Sequence, residues 1–179
     1  LNSYTPNEKY HIAKDYLTQN ANKFGLSKNS IDSLAVTSIR IGNEFSVIRL
    51  EQRVNGLSVY GSSIAITILK NSEVSFVAAN TVTGIVNDKN TFSSDFISIS
   101  KQQAISITSS YLGFSDLKLS NADLVFFKDS NGNQYQVWKL RIVPKSGLAS
   151  DWEILLDSSS GKILRAEDKL KHVTGSGMV

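Results

Sequence analysis

The hydrophobic positions of the chain follow a helical period first and a strand period afterwards. Between Thr5 and Gly25, apolar residues recur at three- and four-residue spacing, which predicts an amphipathic helix. Thr5, Pro6 and Glu8 match a capping box with proline in the first turn, and Gly25 is typical of a helix stop. After Leu34 the period drops to two, so strands are expected to follow the helix.

Four strands are predicted in this first part of the chain, at Leu34–Ile41, Glu44–Val54, Leu57–Leu69 and Glu73–Asn80. The residues between them suit tight turns, notably Asn55-Gly56, so the strands are expected to form an antiparallel meander. The alternation changes phase between Val47 and Ile48. At that point we expect a bulge or a strand that is covered on both faces.

The same order of elements occurs a second time. Residues 82–98 lose both periods and predict a connection, and Ser100 and Gln103 then match another capping box. The predicted apolar stripe of this helix, which ends at Gly113, comprises Ala104, Ile105, Ile107, Thr108, Tyr111 and Leu112. Strands are predicted at Ala122–Lys128, Gln134–Val143, Asp151–Asp157 and Lys162–Glu167. A helix followed by antiparallel strands, repeated twice, predicts an α+β fold with a helix across one face of each sheet.

The composition narrows the class of protein. The chain has 179 residues, 41% of them hydrophobic and 20% charged, which is typical of a globular protein. The formal net charge of +3 is spread thinly along the sequence, so nucleic acid is not expected as a partner. No run approaches the roughly 18 apolar residues of a membrane-spanning helix. The chain begins at Leu1, with neither an initiator Met nor a basic and apolar leader, so we expect a processed or trimmed product.

Few residues suit catalysis, metals or cofactors. The chain has no cysteine, which excludes disulfides, thiolate zinc sites and cysteine nucleophiles. Its two histidines, His11 and His172, lie near opposite ends and not at metal-ligand spacing. His11 is expected as a half-exposed helix residue. We therefore expect no catalytic residues, no bound metal and no cofactor.

Three further features have a structural interpretation. Residues 129–133 resemble the start of a calcium loop, but a glutamate at the end of the roughly 12-residue loop is missing, so a hairpin turn is favoured. Trp138 and Trp152 share strand parity with aliphatic residues, which favours core positions over a stacking platform for sugars or bases. Arg49, Glu51 and Arg53 share parity on one strand face, where cross-strand ion pairs are expected.

The segment from Arg49 to Ser62 resembles the fungalysin/thermolysin propeptide motif. The family pattern, Arg-x-x-Gln-x-x-x-Gly-x-x-Val-x-Gly, is matched at Arg49, Gln52, Gly56, Val59 and Gly61. In physical terms, Gly56 completes an Asn-Gly hairpin turn, Val59 points into the sheet, and Gly61 permits a kink or a close backbone approach.

The second repeat is similar to a PepSY domain. In that family an apolar strand ends in Asp, a short turn closes on Gly, and the chain returns as a Lys-plus-aliphatic strand. The segment from Trp152 through Asp157 and Gly161 to Leu164 follows that pattern. The order of the two motifs is that of secreted thermolysin-like and fungalysin-like zinc metalloprotease precursors.

The C-terminal tail resembles the junction between a prodomain and the mature protease. The residues expected to be exposed there and to face the catalytic cleft are Lys169, Lys171, His172, Val173, Thr174, Gly175 and Ser176. A small, exposed and flexible segment suits a cleavage site, since the substrate backbone must be extended and accessible. A frayed terminus is the alternative interpretation.

The resemblance implies the prodomain of a secreted zinc metalloprotease, an intramolecular chaperone and temporary inhibitor that is not itself an enzyme. The implied partner is the catalytic domain of its own precursor, and the implied location is secreted or periplasmic. The expected division is a propeptide-like domain at 1–90, a PepSY-like domain at 91–170 and a junction tail at 171–179, with cystatin-like or PepSY-like folds. One alternative is a free-standing PepSY-type periplasmic or cell-surface module that binds peptides or inhibits proteases. Another is a scaffold module of a cell-surface protein.

Overall fold

The computed structural model describes residues 5–85, 97–113, 117–145 and 150–170, which form two compact units. Unit 1 comprises Leu1–Asp88 and Phe126–Gln134, and unit 2 comprises Lys89–Val125 and Tyr135–Val179. Each unit has a helix on a four-stranded sheet whose described pairings are antiparallel. The predicted α+β fold class is confirmed. No helix within the described residues has the length and hydropathy needed to span a membrane.

The first helix of unit 1 is shorter than predicted. Helix α1 covers Pro6–Gln19 and begins at the predicted capping box, in which Thr5 and Glu8 satisfy each other's backbone N–H. It ends at Asn20, whose backbone N–H and side-chain Nδ2 both donate to Tyr16 O. A 3-10 turn at Ala21–Phe24 follows and ends at Gly25, with φ 61°. A five-residue helix α2, Lys28–Asp32, comes next and is too short for its period to be visible in the sequence.

Six strands lie within the described residues 5–85, and two of the predicted strands are divided. The strands are β1 Ala35–Ile41, β2 Phe45–Glu51, β3 Arg53–Val54, β4 Leu57–Ser58, β5 Ser63–Leu69 and β6 Val74–Asn80. The main sheet has the order β1-β2-β5-β6, and β3 and β4 pair separately. The turn between β3 and β4 is Asn55-Gly56, with φ 48° and 83°, which fits the positive angles of a type I′ turn.

The predicted irregularity at Val47–Ile48 is wrong. Ser46, Ile48 and Leu50 are buried on one face of β2, while Val47 is half-buried on the other face, so the alternation is unbroken. The sequence pattern indicated a change of phase because polar Ser46 faces the core while apolar Val47 faces outward. The register shifts lie in the edge pairings instead, between Val36 and Ser38 and between Thr67 and Ile68.

The core of unit 1 lies between its helices and the inner face of the main sheet. Its buried residues are Ala13, Leu17, Leu26, Ile31, Leu34, Ile48, Leu50, Ile64, Ile66 and Ile68. The regular alternation of Ile64, Ile66 and Ile68 along β5 places all three side chains on the helix side. Among the described residues, the helix residues of this core cluster lie on the inner face of the sheet, and none of them lies on the opposite, outer face.

Unit 2 repeats the arrangement with one helix and four strands. Helix α3 covers Lys101–Leu112, begins at the predicted Ser100 capping box and ends at Gly113, with φ 71°. The strands are β7 Leu117–Lys128, β8 Gln134–Pro144, β9 Trp152–Asp157 and β10 Ile163–Asp168, in the order β10-β9-β8-β7. Strand β7 starts five residues before its predicted beginning.

The core of unit 2 lies between α3 and the inner face of its sheet. Its fully buried residues are Ala104, Leu140, Ile142, Ile154 and Leu156. Thr108 is also buried. Its hydroxyl donates a hydrogen bond to Ala104 O at 2.8 Å, so the buried polar group is satisfied. Tyr111, predicted in the apolar stripe, is 59% exposed, so that prediction is wrong and the buried stripe is narrower than the sequence indicates.

Candidate functional site

Gln52 is the buried centre of the segment that carries the propeptide pattern. The residue is 1% exposed, and its amide makes two hydrogen bonds to one backbone unit. Gln52 Oε1 accepts from Val82 N at 2.7 Å, and Nε2 donates to Val82 O at 3.0 Å. Both polar atoms of the buried amide are therefore satisfied, and the segment after β6 is held against the end of β2.

The backbone of Gln52 holds the loop that follows it. Its N–H donates to Ser62 Oγ at 2.8 Å, and its C=O accepts from Val59 N at 2.9 Å. Val59 is buried, as predicted for a side chain that points inward, and Ser62 N donates back to Val59 O at 3.1 Å. The hairpin β3–β4 is thus closed at its base by one glutamine.

The two glycines of the pattern are both in the left-handed region. Gly56 has φ 83° and Gly61 has φ 79°, and no atom lies within 4 Å of a Cβ built at either position. Gly61 O accepts from Asn80 Nδ2 at 2.7 Å. The requirement for glycine at these positions is therefore one of backbone conformation and not of crowding.

The charged residues near the pattern are only partly paired. Glu51 Oε1 binds Arg53 Nη2 at 3.0 Å and accepts from Ser58 Oγ at 2.7 Å. Glu51 and Arg53 are two residues apart, at the end of β2 and the start of β3. They therefore do not form the ion pair between paired strands that we expected. Arg49 is exposed on β2 and has no ion-pair partner within the described part of the chain.

The segment after β6 is fixed by three further contacts in unit 1. Thr81 Oγ1 donates to Phe24 O at 2.5 Å. Lys128 Nζ donates to Thr83 O at 2.7 Å and to Gly84 O at 3.1 Å. Residues 81–84 are thus bound from both sides; the sequence indicated residues 82–84 only as part of a connection, and no local pattern pointed to this role.

A small polar pocket lies beside Gln52. Its volume is about 110 Å³, and its lining residues are Ser27, Asn29, Ser30, Ser33, Gln52, Arg53, Val54 and Ile85. Small-molecule sites usually occupy about 300–1,000 Å³ and are mostly apolar. The pocket is thus too small and too polar for a typical cofactor.

The predicted PepSY-like turn of unit 2 is organised by Asp157. Its carboxylate accepts from Ser159 N and Ser159 Oγ and from Ser160 Oγ, the last at 2.5 Å. Burial raises the pKa of the Asp157 carboxyl, but the hydrogen bonds from Ser160 and Ser159 outweigh it, so the pKa lies below its ordinary value. Gly161 closes the turn with φ 74°, and its N–H donates to Asp157 O.

Both tryptophans pack against the core of unit 2, as their strand parity predicts. Trp138 is partly buried, and its Nε1 donates to Ile99 O at 2.7 Å. Trp152 lies opposite Ile142 in the β8–β9 pairing. Neither ring is available as an open stacking platform.

The remaining candidates for chemistry have structural positions. Asp129 accepts from Asn131 N and Asn133 N at 2.9 and 2.8 Å, so residues 129–133 form the favoured hairpin turn. His11 is exposed on α1 with its ring centroid 5.8 Å from that of Tyr10. Within the described ranges, no three His, Cys, Asp or Glu side chains are placed to hold a metal ion.

One residue of the expected tail is part of unit 2. Lys169 N donates to Asp151 O at 2.8 Å, and Lys169 Nζ lies 2.9 Å from Glu167 and 3.3 Å from Glu153. Lys169 is therefore held at the end of the sheet while its side chain is exposed, and its place in a tail that faces the catalytic cleft stays a prediction. The other predicted tail residues, Lys171, His172, Val173, Thr174, Gly175 and Ser176, lie outside the described residues.

Comparison with known proteins identifies the sheet of unit 1. Residues 33–81 match the Fungalysin/Thermolysin Propeptide Motif, and this range contains β1 to β6. Bacillolysin from Bacillus subtilis subsp. amylosacchariticus and bacillolysin from Bacillus subtilis strain 168 are each 24% identical to the chain over 184 residues. These alignments cover 96% of this chain and 34% of each relative, so the chain spans about a third of their length.

A solved structure gives a weaker likeness. The Bacillus megaterium YpeB C-terminal domain aligns with a TM-score of 0.42 and 14% identity, covering 96% of this chain and 68% of that domain. The matched motif is a propeptide motif, which is a non-catalytic part of a protease precursor, so the interpretation of the chain as non-enzymatic rests on that match. Residues 33–81 therefore match a propeptide motif, and the similarity of the chain to bacillolysin supports a thermolysin-like protease propeptide.

Proposed function

We propose that this chain is the prodomain of a secreted zinc metalloprotease, and that it acts as an intramolecular chaperone and temporary inhibitor of the catalytic domain of its own precursor. The observation that carries the proposal is the propeptide match over residues 33–81, which coincides with the entire sheet of unit 1. The similarity to bacillolysin over 96% of the chain supports an extension of the propeptide beyond that motif.

The physical basis of such a function is mass action. A partner that binds the native protease and not its unfolded chain stabilises the native state. Covalent attachment raises the effective concentration of the prodomain to roughly the millimolar range for a short flexible linker. Cleavage of the junction removes this advantage, so inhibition is temporary even when the intrinsic affinity is modest.

The proposal also assigns three segments of the chain to different parts of the prodomain. Residues 1–90 form a propeptide-like domain, residues 91–170 a PepSY-like domain, and residues 171–179 the junction with the mature protease. The anchoring of Lys169 to Asp151 and Glu153 supports a junction that starts after Leu170. Secretion or export to the periplasm follows from the class of protease precursor.

The experiment that tests the function uses the gene and the precursor. A His-Glu-x-x-His motif encoded downstream is expected, whereas a stop codon or an unrelated domain there would overturn the proposal. The protease domain, unfolded in denaturant and then diluted, should regain peptidase activity in the presence of this chain and remain inactive without it. The chain should also inhibit the mature protease when added in trans.

The junction has its own test. Truncation after Leu170 should leave the thermal unfolding of the chain unchanged, because the anchoring contacts of Lys169 are retained. Since an extended segment is what a protease cleft binds, the truncated chain should inhibit the mature protease less strongly than the full chain. Equal inhibition by both chains would show that the tail is only a cleavable linker.

A further inference from the structure

The outer face of the unit 1 sheet, which we call the open face, has a defined arrangement of side chains. The register of the four strands places one row across the whole sheet, consisting of Arg40, Val47, Thr67 and Phe76. A second row on one side of it consists of Ser38, Arg49, Ala65 and Ala78, and the pair Phe45 and Leu69 lies on the other side. The two central strands thus carry Val47, Ala65 and Thr67 together with Arg49, while Arg40 and Phe76 lie on the edge strands.

The aromatic residues of the open face are exposed. Phe76 is 62% exposed, Phe45 is 54% exposed and their neighbour Leu69 is 36% exposed. Large apolar side chains that are exposed together and bordered by polar residues are typical of interaction surfaces. Isolated exposed apolar residues need no such explanation, but these three side chains belong to adjacent rows of one sheet face.

The cations of the open face are unpaired. Within the described residues, neither Arg40 nor Arg49 forms an ion pair. They are diagonal neighbours on β1 and β2, since Arg40 lies opposite Val47 and Arg49 lies opposite Ser38. Covering these guanidinium groups with an apolar surface would leave buried charges without partners, which is strongly unfavourable.

We propose that the open face is the surface on which the protease domain of the same precursor docks, through a complementary surface that carries apolar groups and has carboxylates opposite Arg40 and Arg49. The inference rests on the proposed function. The fork of an arginine side chain matches a carboxylate in a bidentate geometry, so two arginines fix both the charge and the orientation of the partner. Aromatic and arginine side chains are also the residues that protein interfaces favour.

A lipid surface fits the face less well. Segments that bind anionic lipids typically contain clusters of roughly four to eight Lys and Arg residues, whereas the open face has two arginines. The face is also one side of a sheet, with Ala65 and Thr67 on the central strand β5 and Ala78 beside them on the edge strand β6. Small side chains of this kind allow close approach of another protein surface.

The test compares two double variants of the full chain in binding to the purified mature protease of the precursor. In the charge variant, Arg40→Glu and Arg49→Glu reverse both cations, and in the aromatic variant, Phe45→Ser and Phe76→Ser remove the apolar anchors. The matched control, Tyr111→Ser with Lys118→Glu, removes an exposed aromatic and reverses an exposed cation in unit 2. Because all six side chains are exposed, each variant should show the circular dichroism of the wild type and at most a small decrease in melting temperature.

Each variant of the open face should weaken binding by about tenfold or more, as expected for central interface residues, and the control should leave it unchanged. The loss in the charge variant should shrink in about 1 M salt, where the screening length falls to roughly 3 Å, while the loss in the aromatic variant persists. Reversal of a carboxylate on the protease to arginine that restores binding of the charge variant would give direct support.

Other outcomes overturn the inference in distinguishable ways. If the wild type binds the protease and both open-face variants bind equally well, the docking surface lies elsewhere and the proposed function stands. If the wild type does not bind the protease, the proposed function fails together with the inference. A wild-type dimer that the aromatic variant dissociates would assign the face to a second copy. Binding to phosphatidylglycerol vesicles that the charge variant abolishes would assign it to a membrane.

Discussion

The outer faces of the two sheets differ in how their charged side chains are partnered. On the sheet of unit 2, Arg141 makes a bidentate contact with Asp151, Arg165 pairs with Glu167, and Lys169 joins Glu153 and Glu167. Among the charged residues of that face on β8 to β10, Lys139 and Asp157 form no ion pair in the described part of the chain, and the Asp157 carboxylate accepts hydrogen bonds from Ser159 and Ser160 instead. On the open face of unit 1, Glu51 pairs with Arg53, but neither Arg40 nor Arg49 forms an ion pair with any residue that the structure describes.

The two faces also differ in their apolar residues. Val137 and Leu155 lie on the outer face of unit 2 and are fully buried, whereas Phe45 and Phe76 on the open face of unit 1 are exposed. A sheet face on which the chain itself satisfies the charges and covers the apolar groups has no need of a partner. The two faces therefore differ both in the ion pairs of their described residues and in the exposure of their apolar side chains, and this combined difference, rather than exposure alone, is the reason for proposing the open face as a docking surface.

The largest effect is expected from truncating the apolar residues of the two outer faces. Leu155→Ala should lower the free energy of unfolding by about 2–5 kcal/mol, since it leaves a cavity at a fully buried site. Phe76→Ala should lower it by at most about 1 kcal/mol, because the ring already contacts water. Urea unfolding followed by circular dichroism measures both values. Equal losses would mean that the two faces are not different in burial.

The sequence predicted the elements of both units better than their contacts. Both capping boxes and the stop at Gly113 depend on residues adjacent in the chain, so local patterns were sufficient to find them, whereas Gly25 ends a 3-10 turn and not α1. The division of the strands around Gln52 was missed, because the partner Val82 lies thirty residues away. Long-range hydrogen bonds of this kind leave no local period.

The candidate site shows the same limit. The family pattern pointed to Gln52 and Val59, but their roles follow from tertiary contacts. The open face was not predicted either: the parity of Arg49 and Glu51 was visible, whereas the absence of a partner for Arg49 depends on where β1 and β5 place their side chains. An arginine in a strand is compatible with a paired or an unpaired state until its neighbours are known.

The second prediction concerns the buried amide that closes the hairpin of unit 1. Gln52→Met should lower the free energy of unfolding by about 1–3 kcal/mol, because it leaves the N–H and C=O of Val82 without their partner. Gln19→Met at the exposed end of α1 is the matched control and should be nearly neutral. Thermal unfolding of the two variants tests this expectation. If Gln52→Met has the melting temperature of the wild type, water takes over the hydrogen bonds to the N–H and C=O of Val82.

The third prediction compares a glycine turn in each unit. Gly56→Ala should cost about 1–2 kcal/mol through the positive φ alone, since a Cβ there meets no atom within 4 Å. Gly161→Ala has a similar φ, but its Cβ would lie 3.2 Å from Ile107 Cδ1. It should therefore cost more than Gly56→Ala. Melting temperatures in the opposite order would mean that Ile107 moves aside without loss. Gly56→Val adds a β-branched side chain and should exceed Gly56→Ala.

The smallest effect concerns acid and the hydrogen-bonded carboxylates of unit 2. Hydrogen bonds from Arg141 lower the pKa of Asp151, and those from Lys169 and Arg165 lower the pKa of Glu167, as Ser160 and Ser159 do for Asp157. A carboxyl whose pKa is lower in the folded than in the unfolded chain contributes its full stability above the unfolded value of about 4. That contribution is lost as the pH falls from about 4 through the folded pKa.

Both tryptophans of the chain are in unit 2, so tryptophan fluorescence during urea unfolding follows this unit selectively. The free energy of unfolding should be constant from pH 7 to about 5 and should fall below about pH 4. Asp157→Asn removes one titrating group and should reduce that fall, by at most about 1 kcal/mol because solvent screens the partly exposed carboxyl. Asp15→Asn, on the exposed side of α1 in unit 1, should leave the pH dependence of the fluorescence transition unaltered. If Asp157→Asn and the wild type lose the same free energy between pH 5 and pH 3, the Asp157 turn does not contribute to the acid sensitivity of unit 2.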